Sequence, residues 1–214
     1  HWPPPFSMML HSTERIQGGA ALVHIGPGLD QGRSDRAVAP DDGQGLVDLL
    51  RLEGAAEQRT EDRLLIRLAI EPGRFLVARS GWLLARVLHV RDRGGRQVVL
   101  DAGMTELIRP AFYGAWHRIV ALTSLGRAMG QAGGDDTAGA ALELAQVEGP
   151  ICESTDSLGA PDLPPLRRGD LVAIADAGAY AASQSSTYNG RPRPPQVLLA
   201  TDGSVRSGRR RGTL

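Results

Sequence analysis

Apolar positions along this chain come in short runs separated by turn residues. The first is Ala20-Ala21-Leu22-Val23-His24-Ile25, followed by Gly26-Pro27-Gly28. It predicts a buried strand entering a glycine-bearing loop. Leu46, Val47, Leu49 and Leu50 then fall at helical spacing behind Asp41 and Asp42, either of which would serve as N-cap. Arg63 to Ile70 predicts a second buried strand, running into Glu71-Pro72-Gly73-Arg74. Strand, loop, helix and strand in this order form an α/β pattern.

After about Ser80 the pattern changes. Trp82–Val90 alternates in part, and Arg96–Leu100, Trp116–Leu122, Leu142–Val147, Leu171–Ile174 and Gln196–Ala200 are further strand candidates. Asp92-Arg93-Gly94-Gly95, Gly149-Pro150 and Arg168-Gly169-Asp170 separate them as turns. Many short strands at irregular spacing predict an antiparallel sheet or barrel. The stretch from Gly126 to Gly139 reads as a surface insertion. The last residues, Ser207-Gly208-Arg209-Arg210-Arg211-Gly212, read as a frayed, solvated terminus.

Composition narrows the function. The 214 residues carry 24 basic and 24 acidic side chains, so the formal net charge is zero. That balance argues against a nucleic-acid-binding surface, which needs clustered positive charge. No apolar run approaches the ~18 residues of a membrane span. The lone Cys152 excludes an intrachain disulfide and fits a reducing, cytoplasmic setting. His1, His11, His24, His89 and His117 lack metal-ligand spacing, so no metal site is expected. All 24 basic residues are arginine, so this stretch offers no amine for a Schiff base. The chain opens on His1 without a basic region and apolar run, so a partial chain is expected rather than a signal peptide.

Several segments carry chemistry. Glu71-Pro72-Gly73-Arg74 follows a predicted strand, Gly73 allows close backbone approach, and Arg74 offers a fork for phosphate or carboxylate. Gly26 and Gly28 sit on a loop whose N–H groups would suit a phosphate, although Pro27 has none; a plain turn is the other reading. Arg109 and Tyr113, four apart, would share one face of a helical turn. Cys152 and Glu153 are adjacent, and a lone cysteine after an apolar strand is more often an inert core residue.

Taken in order, Glu71-Pro72-Gly73-Arg74, Asp101-Ala102-Gly103-Met104, Ile108-Arg109-Pro110-Ala111-Phe112-Tyr113-Gly114, Gly149-Pro150-Ile151-Cys152-Glu153-Ser154 and Asp176-Ala177-Gly178-Ala179-Tyr180 resemble the C-terminal half of the diaminopimelate decarboxylases. Tyr188-Asn189-Gly190-Arg191-Pro192-Arg193-Pro194 is similar to that family's closing segment. The resemblance implies an incomplete terminal part of a β/α barrel over residues 1–80, a C-terminal β-sheet or β-barrel domain over 81–204, and a disordered basic tail over 205–214. It implies pyridoxal 5'-phosphate as cofactor, bound by Gly26, Gly28, Glu71, Gly73, Arg74 and Tyr180.

It further implies that Arg74, Arg109, Tyr113, Glu153 and Tyr180 bind the substrate, meso-diaminopimelate, with Arg109 and Tyr113 at its distal carboxylate and Glu153 at its distal ammonium. Cys152 would deliver a proton after carbon dioxide leaves, in the site of a partner subunit, which makes the enzyme a homodimer with a shared site. A complete β/α barrel takes roughly 250 residues, so most of the barrel and its Schiff-base lysine lie outside this stretch, and the chain alone would be inactive. Two alternatives remain: a lysine-free, non-catalytic relative acting as a dimerisation or binding partner, and a decarboxylase of another basic amino acid.

Overall fold

A computed structural model describes residues 72–129 and 141–213 in full and the backbone of one strand, Ala21–Ile25. The expected Asp41/Asp42-capped helix, the strand over 63–70 and most of the 126–139 insertion lie outside the described residues. So do Gly26, Gly28 and Glu71. Among the described residues no helix is long and apolar enough to cross a membrane.

The described strands are β1 (Ala21–Ile25), β2 (Gly81–Asp92), β3 (Arg96–Leu100), β4 (Ile119–Leu122), β5 (Glu143–Glu148), β6 (Ser157–Gly159), β7 (Asp162–Leu163), β8 (Leu171–Ile174), β9 (Gln196–Leu199) and β10 (Val205–Arg209). Three short helices intervene: α1 (Gly73–Val77), α2 (Arg109–Tyr113) and α3 (Ala181–Gln184). The strands form one mixed sheet in the order β10-β9-β1-β2-β3-β5-β6; β8 also pairs with β2, β4 with β8, and β7 with β5. Most pairs are antiparallel, but β1–β9 and β3–β5 are parallel.

Two cores explain why the apolar runs alternate only in part. Successive side chains of a strand point to opposite faces. In β8, Val172 and Ile174 enter one cluster while Leu171 and Ala173 enter another. In β2, Leu83, Ala85 and Val87 join the first cluster and Leu84 the second. In β4, Ile119 and Ala121 face the first and Leu122 the second. A sheet covered on both faces selects continuous apolar runs, whereas one-sided β5 buries Ala145 and Val147 and exposes Gln146 between them.

Two expectations are corrected. The strand read before Gly26 forms, but β1 pairs antiparallel with β2 and parallel with β9, inside the sheet that follows residue 80. The basic tail is not frayed throughout, because β10 pairs with β9. A tight turn reverses the chain there: Ala200 N–H donates to Ser204 O at 2.9 Å, Ser204 N–H donates to Asp202 Oδ1 at 2.8 Å, and Gly203 takes φ 81°. An Asp-Gly pair suits such a hairpin. Pairing satisfies the backbone groups of β9 that would otherwise form an open edge.

Candidate active site

Arg109 begins α2, with Pro110 in the first turn and Gly114 at the C-cap in the left-handed conformation, φ 62°. That short, firmly ended turn sets Arg109 and Tyr113 on one face, as their spacing predicts. The Arg109 guanidinium carbon lies 5.5 Å from the Tyr113 ring centroid and 5.8 Å from that of Tyr180. Arg109 is buried, whereas Tyr113 and Tyr180 keep about half their surface exposed, at 57% and 47%. A guanidinium between two half-open phenol rings is held by cation–π contact, and its planar fork has the geometry that pairs with an anion.

Tyr180 arrives by a different route. After β8 the chain turns at Asp176 (φ 58°), and Ala177 and Gly178 donate their N–H groups to Gly81 O and Ala78 O, both at 2.9 Å. Gly178 must be glycine, since a Cβ there would land on the Val77 carbonyl oxygen. This crossing brings the Tyr180 loop against the end of α1, the helix that carries Arg74. Tyr180 itself is left-handed, φ 63°. A bulky residue rarely adopts that conformation, and such strain concentrates at functional sites.

His117 sits between these elements, 2% exposed, with its Nδ1 2.9 Å from Ala175 O. A carbonyl only accepts, so Nδ1 carries the proton and donates. Burial pushes the imidazole below its ordinary range; the Ala175 carbonyl opposes this, Arg109 and Arg74 reinforce it, and Asp176 opposes it. The histidine is therefore held neutral beside two cations.

Cys152 and Glu153 lie on another loop, between β5 and β6. Cys152 is exposed, so it is not packed in the core as a lone cysteine after an apolar strand more often is. Glu153 is half-buried; its Oε1 accepts the Ser154 N–H at 3.0 Å and its Oε2 accepts the Tyr188 hydroxyl at 3.5 Å. The Tyr188 segment is in turn tied to the turn before α2, because Ser186 N–H donates to Thr105 O at 3.0 Å. Among the described residues, Cys152 and Glu153 make no hydrogen bond or ion pair with Arg109, Tyr113 or Tyr180. The candidate residues thus form two groups on this chain.

Several buried polar residues were missed by sequence reasoning. Glu106, 3% exposed, accepts the Gly103 N–H at 2.9 Å and the Thr105 hydroxyl at 2.8 Å, and lies 3.5 Å from Arg191 Nε. Arg191 also donates to Asp101 O, which locks the closing segment onto this turn. Asp101 accepts the Arg86 N–H at 2.7 Å, and burial raises its carboxyl above the ordinary carboxylate range despite the opposing pull of that hydrogen bond and of Arg86, Arg191 and Arg211. Arg191 and Tyr188 stood in a quoted motif, but nothing in their spacing named their partners.

Among the described residues no group of three His, Cys, Asp or Glu side chains could hold a metal ion. For a phosphate-bearing cofactor the available residues fit. No side chain caps the N-terminus of α1, and the position of a Cβ on Gly73 meets nothing within 4 Å, so a group can approach the backbone there. Arg74 follows Gly73 in the same turn, and the Tyr180 loop crosses the end of this helix.

This fold and site define a class. The family described as "Pyridoxal-dependent decarboxylase, C-terminal sheet domain" matches residues 35–178, and the chain belongs to that family. Diaminopimelate decarboxylases are among its relatives. The chain is 43% identical to the diaminopimelate decarboxylase of Escherichia coli K12 over 158 residues, covering 70% of this chain and 36% of that protein. It is 43% identical to the Deinococcus radiodurans diaminopimelate decarboxylase over 151 residues, 69% of this chain and 36% of the relative. A diaminopimelate decarboxylase crystal structure superposes with TM-score 0.61 at 33% identity, over 100% of this chain and 50% of that one. The Helicobacter pylori diaminopimelate decarboxylase complexed with L-lysine gives TM-score 0.57 at 27% identity, over 100% of this chain and 49% of that one. The chain therefore spans 36% of the length of the first curated relatives it matches.

Proposed function

We propose that this chain is the C-terminal part of a pyridoxal-phosphate-dependent diaminopimelate decarboxylase, which cleaves one α-carboxylate of meso-2,6-diaminopimelate as carbon dioxide, replaces it with a proton and leaves L-lysine. The observation that carries the reading is buried Arg109 between Tyr113 and Tyr180. A desolvated guanidinium suits a substrate carboxylate far better than an exposed one would. Glu153, whose Oε2 also accepts from Tyr188, suits the distal ammonium. The need for both a carboxylate and an ammonium at the distal end favours diaminopimelate over other basic amino acids.

When bound, the cofactor supplies the electron sink for the carbon–carbon cleavage. On this chain, Gly73 would offer backbone N–H groups and Arg74 its fork to the phosphate, and Tyr180 would border cofactor and substrate. Glu71, Gly26 and Gly28 complete the proposed contacts. The 214 residues contain no lysine, so the Schiff-base amine comes from outside them and this chain alone is inactive. Cys152, an exposed thiol, would hold and deliver the proton that replaces the lost carboxylate. The same reading makes the enzyme a homodimer in which each subunit's Cys152 and Glu153 complete the partner's site. On this reading the boundary between the barrel portion and the sheet domain falls near Ser80, with β1 returning to the sheet, and the enzyme works in the cytoplasm.

The test is decarboxylation by an enzyme in which this chain is joined to a complete, lysine-bearing barrel. Arg109→Ala removes a charged hydrogen-bonding group worth about 1.5–3 kcal/mol, so kcat/KM for diaminopimelate should fall roughly ten- to 150-fold. Glu153→Asp should also lower it. Unchanged diaminopimelate turnover in both variants would overturn the reading.

A further inference from the structure

Asp156 is 4% exposed and bonds two segments at once. Its Oδ1 accepts the Met104 N–H at 2.6 Å, and its Oδ2 accepts the Ile151 N–H at 3.0 Å. Met104 opens the turn that runs into α2 and Arg109. Ile151 immediately precedes Cys152. The backbone of Asp156 closes the same loop: its N–H donates to Glu153 O at 3.1 Å, and its carbonyl accepts the Gly149 N–H at 2.8 Å. Two glycines complete the enclosure, because a Cβ on either Gly103 or Gly149 would land on the Asp156 carboxylate. The two glycine backbones also lie close together, since a Cβ on Gly103 would come within 2.7 Å of Gly149 Cα.

A carboxylate accepts on both oxygens and donates on neither. It is therefore suited to holding two converging N–H groups, and such charge-assisted bonds are short and strong. An amide can accept from only one of them and turns a donor toward the other, leaving a buried N–H without a partner.

We propose that Asp156 is a positioning residue: it fixes the loop carrying Cys152 and Glu153 to the turn leading into Arg109, so that the proton-delivering and ammonium-binding groups this chain offers to the partner's site are held in one place on the sheet domain. The catalytic consequence rests on the decarboxylase reading above; the mechanical one does not. Misplacement of a reacting group by about 1 Å can cost on the order of a hundredfold in rate.

The experiment is hydrogen exchange followed by mass spectrometry on the complete enzyme, with Asp156→Asn alongside the unsubstituted protein. In Asp156→Asn, residues 150–155 and the Met104 amide should exchange about tenfold faster or more, while β8 (Leu171–Ile174) stays unchanged and kcat/KM drops by about tenfold or more. Equal acceleration in β8 would mean that Asp156 only stabilises the fold, and would overturn the proposal. So would an unaltered loop, or a loosened loop with full kcat/KM. In the unsubstituted enzyme, Met104 and Ile151 should exchange as slowly as the sheet; rapid exchange there overturns the proposal even if the variant fails to fold. An unsubstituted enzyme that exchanges as expected but does not release carbon dioxide would refute the decarboxylase reading and leave the clasp intact.

Discussion

The guanidinium of Arg109 lies 5.8 Å from the ring centroid of Tyr180, although β4 to β8 separate the two residues in sequence. The contact depends on two unrelated local devices: the Pro110–Gly114 turn that ends α2 and the backbone crossing of Gly178 over Ala78. His117 bridges them, following α2 and donating to Ala175 at the end of β8. Each device has its own consequence for stability.

His117 should make the protein acid-sensitive. Its ordinary value is 6.5 and the fold lowers it, so below about pH 6.5 the unfolded chain binds a proton that the folded chain refuses. Stability therefore falls as pH drops through 6.5 toward the lowered folded value, and is unaffected above it. Asp101 acts in the opposite sense: its raised value means that protonation from its folded value down to 3.8 favours the fold. Chemical denaturation of the complete enzyme between pH 8 and 5 should show a decline that His117→Gln flattens. An identical slope in the variant would mean that another group titrates.

Gly178→Ala should be among the most damaging single-methyl additions. The new Cβ would land on the Val77 carbonyl oxygen, and backbone rather than a flexible side chain must move. Such overpacking costs about 1–3 kcal/mol and occasionally more. It should lower the melting temperature and, by displacing the Tyr180 loop, reduce kcat/KM even where the variant remains folded. Gly94→Ala is the control for a positive-φ glycine without a steric neighbour, since its Cβ would meet nothing within 4 Å. Equal damage from the two would rule out the crossing as the cause.

Arg191→Ala should destabilise through the partner it leaves behind. Glu106 is almost wholly buried and would keep only its Gly103 and Thr105 donors. Because Arg191 is 28% exposed, the expected loss is roughly 2 kcal/mol, below that of a fully buried pair. Arg191→Ala combined with Glu106→Gln should recover part of it, which urea denaturation would measure. Strict additivity would count against the pair.

The isolated chain should be poorly soluble. Phe75, Leu76 and Val77 on α1 expose 53%, 71% and 46% of their surface, and Phe112 and Trp116 expose 71% and 56%. Large apolar side chains left exposed in this way favour association. Light scattering on the purified chain should report association, reduced in Leu76→Glu. A monodisperse sample that melts cooperatively would refute this.

The sequence alone determined the local features. Four-residue spacing placed Arg109 and Tyr113 on one turn, and the ordered motifs pointed to the family. The strand over Leu171–Ile174 appeared where its apolar run lay. Local pattern suffices for these because the interactions involved span a few residues. Tertiary structure decided the rest. Whether Gln196–Leu199 lies at an edge depends on β10, and β10 forms only because a turn returns the chain to a partner strand. Glu106 and Asp156 look like surface acids in a list of residues; Asp156 becomes a buried clasp because Gly103 and Gly149 leave room for its carboxylate beside the remote Met104 N–H, and Glu106 is buried where Arg191 reaches it from the closing segment. The pairing of Arg109 with Tyr180 likewise required a strand, a crossing and a strained backbone turn. Hydrogen bonds and ring contacts between remote segments depend on register and close approach, and those are set by packing of the whole sheet rather than by the spacing of residues along the chain.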